Sequence, residues 1–246
     1  MGLSVPHYIR STDIQDTVIR YEWDNWDPEG PGHRMDEEFC KRLENLSQRA
    51  AFAYAIATAE WIVYRYGRLS DDPLPWQYLE AAWAQVIDIR YAALSVEGDA
   101  NINDWAGPIR RPIWRAILYA EYAGFEAHDD ALPSDPAARN VGLAQYIITD
   151  PTPFRRWSEQ ILERLETHYP MNPEEHLGEV VPREALDPDF NLRIEQTESL
   201  INKFLAGLDY RANPFLNLPE RMLRQGFEGT PYVFSIEEDR RHRFEW

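Results

Sequence analysis

The sequence predicts an all-α protein, and three observations favour that class. Apolar residues recur at steps of three and four along residues 36–66, as they do on one face of a helix. Further stretches with the same spacing are separated by short segments that contain proline and helix-capping residues. Strand-like alternation is scarce, and no internal repeat occurs. We therefore expect a single-domain helical bundle of about six to seven helices.

Residues 36–66 are predicted to form one long central helix around which the others pack. Between residues 50 and 64 only Thr58 and Glu60 are polar, so this half of the helix is apolar on nearly every side. That pattern is typical of a helix buried in a core. Asp36 stands at the start, where the helix dipole favours a carboxylate.

The other predicted helices follow in chain order, several of them introduced by proline. They cover about residues 75–94, 112–125, 136–148, 152–168, 192–208 and 219–225. Between them, residues 170–191 lose the helical spacing and gather prolines and acids, which predicts a long irregular acidic loop on the surface. The tail is expected to hold a short strand at residues 232–234 or a charged helix. The domain divides into an acidic–aromatic lead-in, a main bundle, the surface loop, and C-terminal helices with the tail: residues 1–35, 36–168, 169–191 and 192–246.

The acidic balance is the strongest global signal. The chain has 42 Asp and Glu against 25 Lys and Arg, which gives a formal net charge of −17. Such a surface repels nucleic acid and anionic membranes, and it attracts basic proteins. Acidity also serves solubility alone, so charge by itself does not decide the function.

Several function classes lack their sequence signatures. The single cysteine, Cys40, excludes an intrachain disulfide, and the N-terminus does not resemble a secretory signal. The apolar stretch before Glu60 is too short to cross a bilayer. Glycine-rich phosphate loops, zinc-protease motifs and nucleophile elbows are absent. We expect a cytoplasmic protein without a cofactor or a membrane partner, and the sequence leaves a homo-oligomer open.

Four residues are weak candidates for catalysis. The apolar neighbours of Glu60 would raise its pKa, although an ion pair with an arginine, or exposure on the remaining helix face, is the favoured alternative. His128-Asp129 is similar to the His-Asp step of helical metal-dependent phosphohydrolases, with a solvated helix end as the alternative. His168 falls on an apolar stripe and has His176 nearby in sequence, but a core or capping histidine is the better interpretation.

One metal-ligand spacing occurs in the lead-in. Asn25, Asp27, Glu29 and Asp36 occupy positions of a calcium-binding loop that leads into a helix. The asparagine at the first position, the short aspartate at the last and the intervening prolines depart from that pattern. An acidic loop with a helix cap is favoured, so we assign no metal site.

Two arginine pairs lie near predicted helix starts. Arg110-Arg111 and Arg155-Arg156 are placed where the helix dipole disfavours cations. They are weak candidates for anion binding, because the arginine fork suits phosphate and carboxylate groups. Internal salt bridges are favoured, since acids are abundant throughout the chain.

The favoured function is a non-enzymatic binding module that recognises a basic protein and neutralises or chaperones it, as an inhibitor or immunity protein does. Carboxylates would steer the cationic partner while aromatic side chains supply short-range contacts. The predicted partner-binding residues are Tyr21, Glu22, Trp23, Asp24, Trp26 and Asp27, joined by Glu174, Glu175 and Glu179. In the alternative for the aromatics, they fold back onto the core. The alternative function is an enzyme with an inter-helix pocket, a metal-dependent hydrolase using Glu60 or His128-Asp129.

Overall fold

A computed structural model describes residues 4–24, 30, 34–93, 105–129 and 131–242. Their α-helices, in chain order, are α1 (His7–Arg10), α2 (Glu37–Leu43), α3 (Gln48–Arg65), α4 (Leu74–Ile87), α5 (Gly107–His128), α6 (Ser134–Ile147), α7 (Thr152–His168), α8 (Thr197–Gly207), α9 (Pro219–Arg224) and α10 (Ile236–His242). Short 3-10 turns cover Ile89–Tyr91, Arg183–Leu186 and Ile194–Gln196. No sheet forms among these residues, so the predicted all-α class is confirmed.

The prediction of one continuous central helix was wrong, because the chain breaks between α2 and α3. At the break, Ser47 N donates a hydrogen bond to Tyr169 O at 3.0 Å, and Ser47 then caps α3 by accepting from Ala50 N. Gln48 N donates to His176 O at 2.9 Å instead of to the preceding turn. These bonds to a distant segment replace the helical ones, so a new helix starts at residue 48.

Helix α3 is the core of the bundle, as its composition predicts. Its residues from Gln48 to Val63 are all buried, and α4, α5, α6 and α7 pack around it. Trp61 contacts Phe154 of α7 edge-on, with ring centroids 5.6 Å apart. Asn140 of α6 ties the layers together by donating to backbone carbonyl groups of both α3 and α5.

Several neighbouring helices meet at the start of α3. Gln48 Nε2 donates to Ala131 O at 2.9 Å, so α5 ends and α6 begins beside this point. Arg49 Nη2 donates to Ile87 O at 2.8 Å, which places the end of α4 there as well. α7 returns to the same end through the Tyr169 carbonyl described above. The bundle therefore has one end at the start of α3 and an opposite end where α3 finishes.

The stretch of residues 170–191 is irregular, as predicted, but the expected excursion across the surface was wrong. Val180, Val181 and Leu186 are buried in the core. Trp157 of α7 donates its indole N–H to Leu186 O at 2.9 Å, which holds the 3-10 turn against the helix. The apolar residues among the prolines explain this packing, because they can be buried without helical spacing.

The tail forms α10 rather than a strand. Tyr232 has a φ of 63°, which ends any extended conformation at residues 232–234. Phe234 is buried, and its backbone N–H and C=O groups both bond the side-chain amide of Asn202 at 2.8 Å. The tail is thus docked on α8 before α10 begins.

Candidate functional site

Glu60 lies fully buried in the C-terminal half of α3 and is held by two side chains. Trp83 Nε1 of α4 donates to Glu60 Oε1 at 2.8 Å. Arg183 donates to the same oxygen through Nε at 2.9 Å, and its Nη2 forms an ion pair with that oxygen at 2.7 Å. The geometry thus favours the predicted alternative, an ion pair with an arginine, over a free general acid.

The electrostatics of Glu60 are those of a buried ion pair that links α3 to the turn carrying Arg183. Burial raises the pKa of its carboxyl group, while the charge of Arg183 and the hydrogen bond from Trp83 oppose that rise. Burial and the charge of Glu60 also raise the pKa of Tyr8. The adjoining cavity, lined in part by Trp83 and Arg183, measures about 10 Å³. That volume is at the lower limit for one water molecule and too small for a substrate.

The histidine candidates do not join Glu60. His128 is half-buried at the start end of α3, with Nε2 3.4 Å from Gln85 O, and burial lowers its pKa to about 4. Asp129 is exposed, and so is His168, contrary to its predicted place on an apolar stripe. Glu60 lies roughly 16 Å further along α3 than Arg49, the cation that acts on His128. These residues therefore form no joint pocket.

The metal-binding candidates divide between described and undescribed residues. Asn25, Asp27 and Glu29 lie outside the described residues. Asp36 caps α2 by accepting from Glu38 N and Phe39 N. Within the described ranges, no group of three His, Cys, Asp or Glu side chains could hold a metal ion.

The arginine candidates differ from one another. Arg110 forms an ion pair with Asp72 at 3.5 Å, which agrees with the predicted internal salt bridges. Arg111 is buried with its guanidinium over the Trp114 ring, 4.5 Å from the centroid. Burial and the charge of Arg115 lower the pKa of Arg111. Arg155 and Arg156 are exposed near the start of α7, and no pair converges with the other into an anion site.

The two described aromatic residues of the predicted partner-binding segment pack inward. Tyr21 and Trp23 are half-buried against the core and contact each other edge-on, 6.4 Å apart. The Tyr21 hydroxyl bonds the Tyr66 hydroxyl and the Pro108 carbonyl, and burial raises the pKa of Tyr21 to about 12. Their role as interface anchors is therefore weakened.

The two described acidic residues of that segment are exposed. Glu22 and Asp24 are exposed, while Tyr146 of α6 fixes the backbone by donating to Glu22 O at 2.6 Å. Trp26 and Asp27 lie outside the described residues. The alternation leaves carboxylates, rather than aromatic rings, on the surface of this segment.

The second predicted acidic group is partly committed to internal contacts. Glu175 accepts a hydrogen bond from Gly178 N at 2.8 Å. Glu179 forms an ion pair with Arg240 of α10 at 3.3 Å. Glu174 is exposed. Only part of this group is thus presented to solvent.

The two predicted groups lie at opposite ends of the bundle. Tyr21 contacts Tyr66 just beyond the last residue of α3, whereas residues 174–179 are fixed to the first turn of α3 by Gln48 N and Arg49 N. Helix α3 has 18 residues, and a helix of that length spans about 27 Å. The described residues of the two groups therefore do not form one contiguous surface.

The sequence did not indicate the residues that hold other segments against the N-terminal end of α3, the start end. Arg49 is buried there, and its Nη2 lies 2.8 Å from Asp239 Oδ1 of α10, with side chains 5% and 8% exposed. Arg49 Nη1 also donates to Gly178 O at 3.1 Å. A cleft of about 60 Å³ adjoins this pair, with Phe227 and Glu238 in its lining. No spacing in the sequence connects Arg49 with Asp239.

Charge is distributed unevenly between the two ends. At the start end of α3, which we call the acidic end, the described carboxylates are Glu44, Asp88, Glu126, Asp129, Asp135, Glu166, Glu174, Glu175, Glu179, Glu228, Glu237, Glu238 and Asp239. The described Lys and Arg side chains there are Lys41, Arg42, Arg49, Arg90, Arg139, Arg224, Arg240 and Arg241, where Arg224 is two residues from Gly226, whose carbonyl accepts a hydrogen bond from Arg90. The opposite end, which we call the mixed end, carries Asp13, Asp16, Glu22, Asp24, Asp71, Asp72 and Asp150 with Arg10, Arg20, Arg65, Arg68, Arg110, Arg155 and Arg156. The negative potential is thus concentrated at the acidic end.

No protein-family model, curated protein or solved structure matches this chain. Of the helices in the described ranges, none combines the length and the apolar character needed to cross a membrane.

Proposed function

We propose that this protein is a binding module whose acidic end recognises a basic protein partner. The observation that carries the proposal is the excess of carboxylates over cations at that end, in contrast to the balanced mixed end. A concentrated negative field increases the rate of encounter with a cationic surface and orients the partner. An inhibitor, an immunity protein or a dedicated chaperone of a basic protein would use such a surface.

Exposed carboxylates at the acidic end are available to a partner. Glu44, Glu174 and Glu237 are exposed, and no described residue forms an ion pair with them. The buried pair of Arg49 and Asp239 fixes α10 beside them, so the surface is held by the fold before the partner arrives.

The proposal is tested by binding to a defined cationic probe, a short synthetic oligolysine, at several salt concentrations. The first variant reverses the charge of Glu44, Glu174 and Glu237 to lysine. The matched control reverses Asp13, Glu22 and Asp71 at the mixed end, which changes the net charge by the same amount.

Acidic-end reversal should abolish salt-sensitive binding, whereas the control should retain most of it. Equal loss in both variants would show that only net charge matters. Loss in the control alone would favour the segment around Glu22. Either result would overturn the acidic end as the recognition surface.

A further inference from the structure

Two large apolar side chains are exposed where α5 gives way to α6. Phe125 is 48% exposed and Leu132 is 46% exposed. Glu126 O accepts hydrogen bonds from Asp129 N at 3.3 Å and Ala131 N at 3.0 Å, which folds the chain back so that Leu132 follows the last turn of α5. Large apolar residues exposed close together are typical of interaction surfaces.

Glu126, next to Phe125, is half-buried, and one oxygen of its carboxyl group lacks a hydrogen-bond donor among the described residues. Its Oε2 is buried and receives no hydrogen bond from any described residue. Burial, followed by the charge of Asp135, raises the pKa of Glu126 to about 7. A cation placed beside the carboxyl group would offset the repulsion from Asp135.

The described charged side chains around Glu126 contact other partners, so the place for a cation beside its carboxyl group is open. Arg139 of α6 is directed to Asp135 at 3.2 Å. His128 lies toward Gln85 O, and Asp129 is exposed. From the neighbouring helices, the Gln48 side chain of α3 donates its hydrogen bond to Ala131 O. Glu44 of α2 adds further negative charge near Asp135. The local charge is therefore negative around an apolar pair.

We infer that Phe125, Glu126, Leu132 and Asp135, which we call the apolar–acidic turn, are the central contact for the basic partner. This inference rests on the proposed function. A lysine or arginine of the partner lies beside Glu126, and an adjacent apolar side chain of the partner covers Phe125 and Leu132. Central apolar contacts with a polar rim are where interfaces concentrate their binding energy.

Binding at this turn is linked to a proton. A bound cation lowers the pKa of Glu126, so the complex holds the carboxylate ionised while the free protein is partly protonated near pH 7. Affinity therefore rises as the pH increases through 7. Calorimetry in buffers of different ionisation enthalpy should detect proton release on binding.

The test uses two short synthetic peptides, one alternating arginine with leucine and one alternating arginine with serine. The double variant Phe125→Ala/Leu132→Ala should weaken binding of the leucine peptide by about tenfold and remove its advantage over the serine peptide. The matched control, Leu218→Ala/Leu223→Ala, removes two similarly exposed leucines elsewhere and should leave both affinities unchanged. Glu126→Gln should abolish the pH dependence.

The outcomes separate the inference from the proposed function. Binding that survives Phe125→Ala/Leu132→Ala but is lost on reversing Glu44, Glu174 and Glu237 overturns the turn and supports the acidic end. Equal weakening by the control pair, or unchanged pH dependence in Glu126→Gln, also overturns the inference. If neither peptide binds at low salt, the proposed function fails as well.

Discussion

Arg183 donates a hydrogen bond from Nε to one oxygen of Glu60 and forms an ion pair with that oxygen through Nη2, so a turn far away in sequence is bound to the most buried helix. The Glu60 side chain has no exposed area, and its second oxygen receives no hydrogen bond from the described residues. The carboxylate is therefore stabilised mainly by one cation. Because an ion taken out of water without its partner is costly, removing Arg183 alone should strongly destabilise the core.

Replacing Arg183 by methionine should destabilise the protein by about 3–5 kcal/mol, because it leaves the buried Glu60 carboxylate without its cation. Glu60→Gln should cost less, since the neutral amide still accepts the bond from Trp83. Urea denaturation of both variants and of the double variant measures the interaction free energy between Arg183 and Glu60. Arg155→Met, at an exposed position, is the control and should change stability by less than about 0.5 kcal/mol. If Arg183→Met and Arg155→Met lowered the free energy of unfolding by similar amounts, the ion pair of Glu60 and Arg183 would not stabilise the core.

Asp239→Asn should destabilise the docking of α10. The substitution leaves the buried Arg49 guanidinium without its carboxylate, at a cost of about 3 kcal/mol. Hydrogen exchange should show faster exchange at residues 236–242 while α3 stays protected. Glu237→Gln, two residues away and exposed, should leave exchange unchanged. Unaltered exchange in Asp239→Asn would show that α10 is held by other contacts.

Glu126 should make stability depend on pH. Its folded pKa of about 7 lies above the ordinary value of 4.5, so its contribution to stability is fully present below pH 4.5 and is lost as the pH rises through 7. Glu126→Gln should therefore become more stable than the parent protein at pH 8, by about 1 kcal/mol after allowance for solvent screening. Urea unfolding at pH 5 and pH 8 measures the difference. If the free energy of unfolding of the two proteins differed by the same amount at pH 5 and at pH 8, the raised pKa of Glu126 would be contradicted.

Gly178→Ala should be more harmful than an ordinary glycine substitution. Gly178 has a φ of +77°, and a Cβ there would lie 2.3 Å from the Ser47 Cβ at the start of α3. Strain and overpacking together predict a loss of about 3 kcal/mol. Gly226→Ala, with a φ of +80° but no atom within 4 Å, isolates the strain and should cost about 1 kcal/mol. Equal urea midpoints for the two variants would show that Ser47 does not restrict this position.

The helical class could be predicted because periodic apolar spacing reports which faces of helices are buried. The same signal concealed the break before α3, since Leu43, Leu46 and Ala50 keep the helical step across it. Ser47 at a capping position was the available sign. The break depends on bonds to residues 169–177, which no local pattern contains.

The candidate site could be predicted only in outline. An isolated Glu60 in an apolar helix indicates that a partner is needed, but Arg183 lies 123 residues away in an aperiodic stretch. Net charge likewise predicts an acidic surface without saying where it is concentrated. The separation of Glu22 from Glu174 follows from the direction of α3, so it emerges only when the helices are packed.

Capture of partners from the native cell, quantified by mass spectrometry, tests the acidic end most directly. The tagged parent protein should retain a basic protein in a salt-sensitive complex. The variant with Glu44, Glu174 and Glu237 changed to lysine should lose it, while the variant with Asp13, Glu22 and Asp71 changed to lysine should keep it. If the acidic-end variant retains the basic protein as well as the parent does, recognition does not occur at the acidic end.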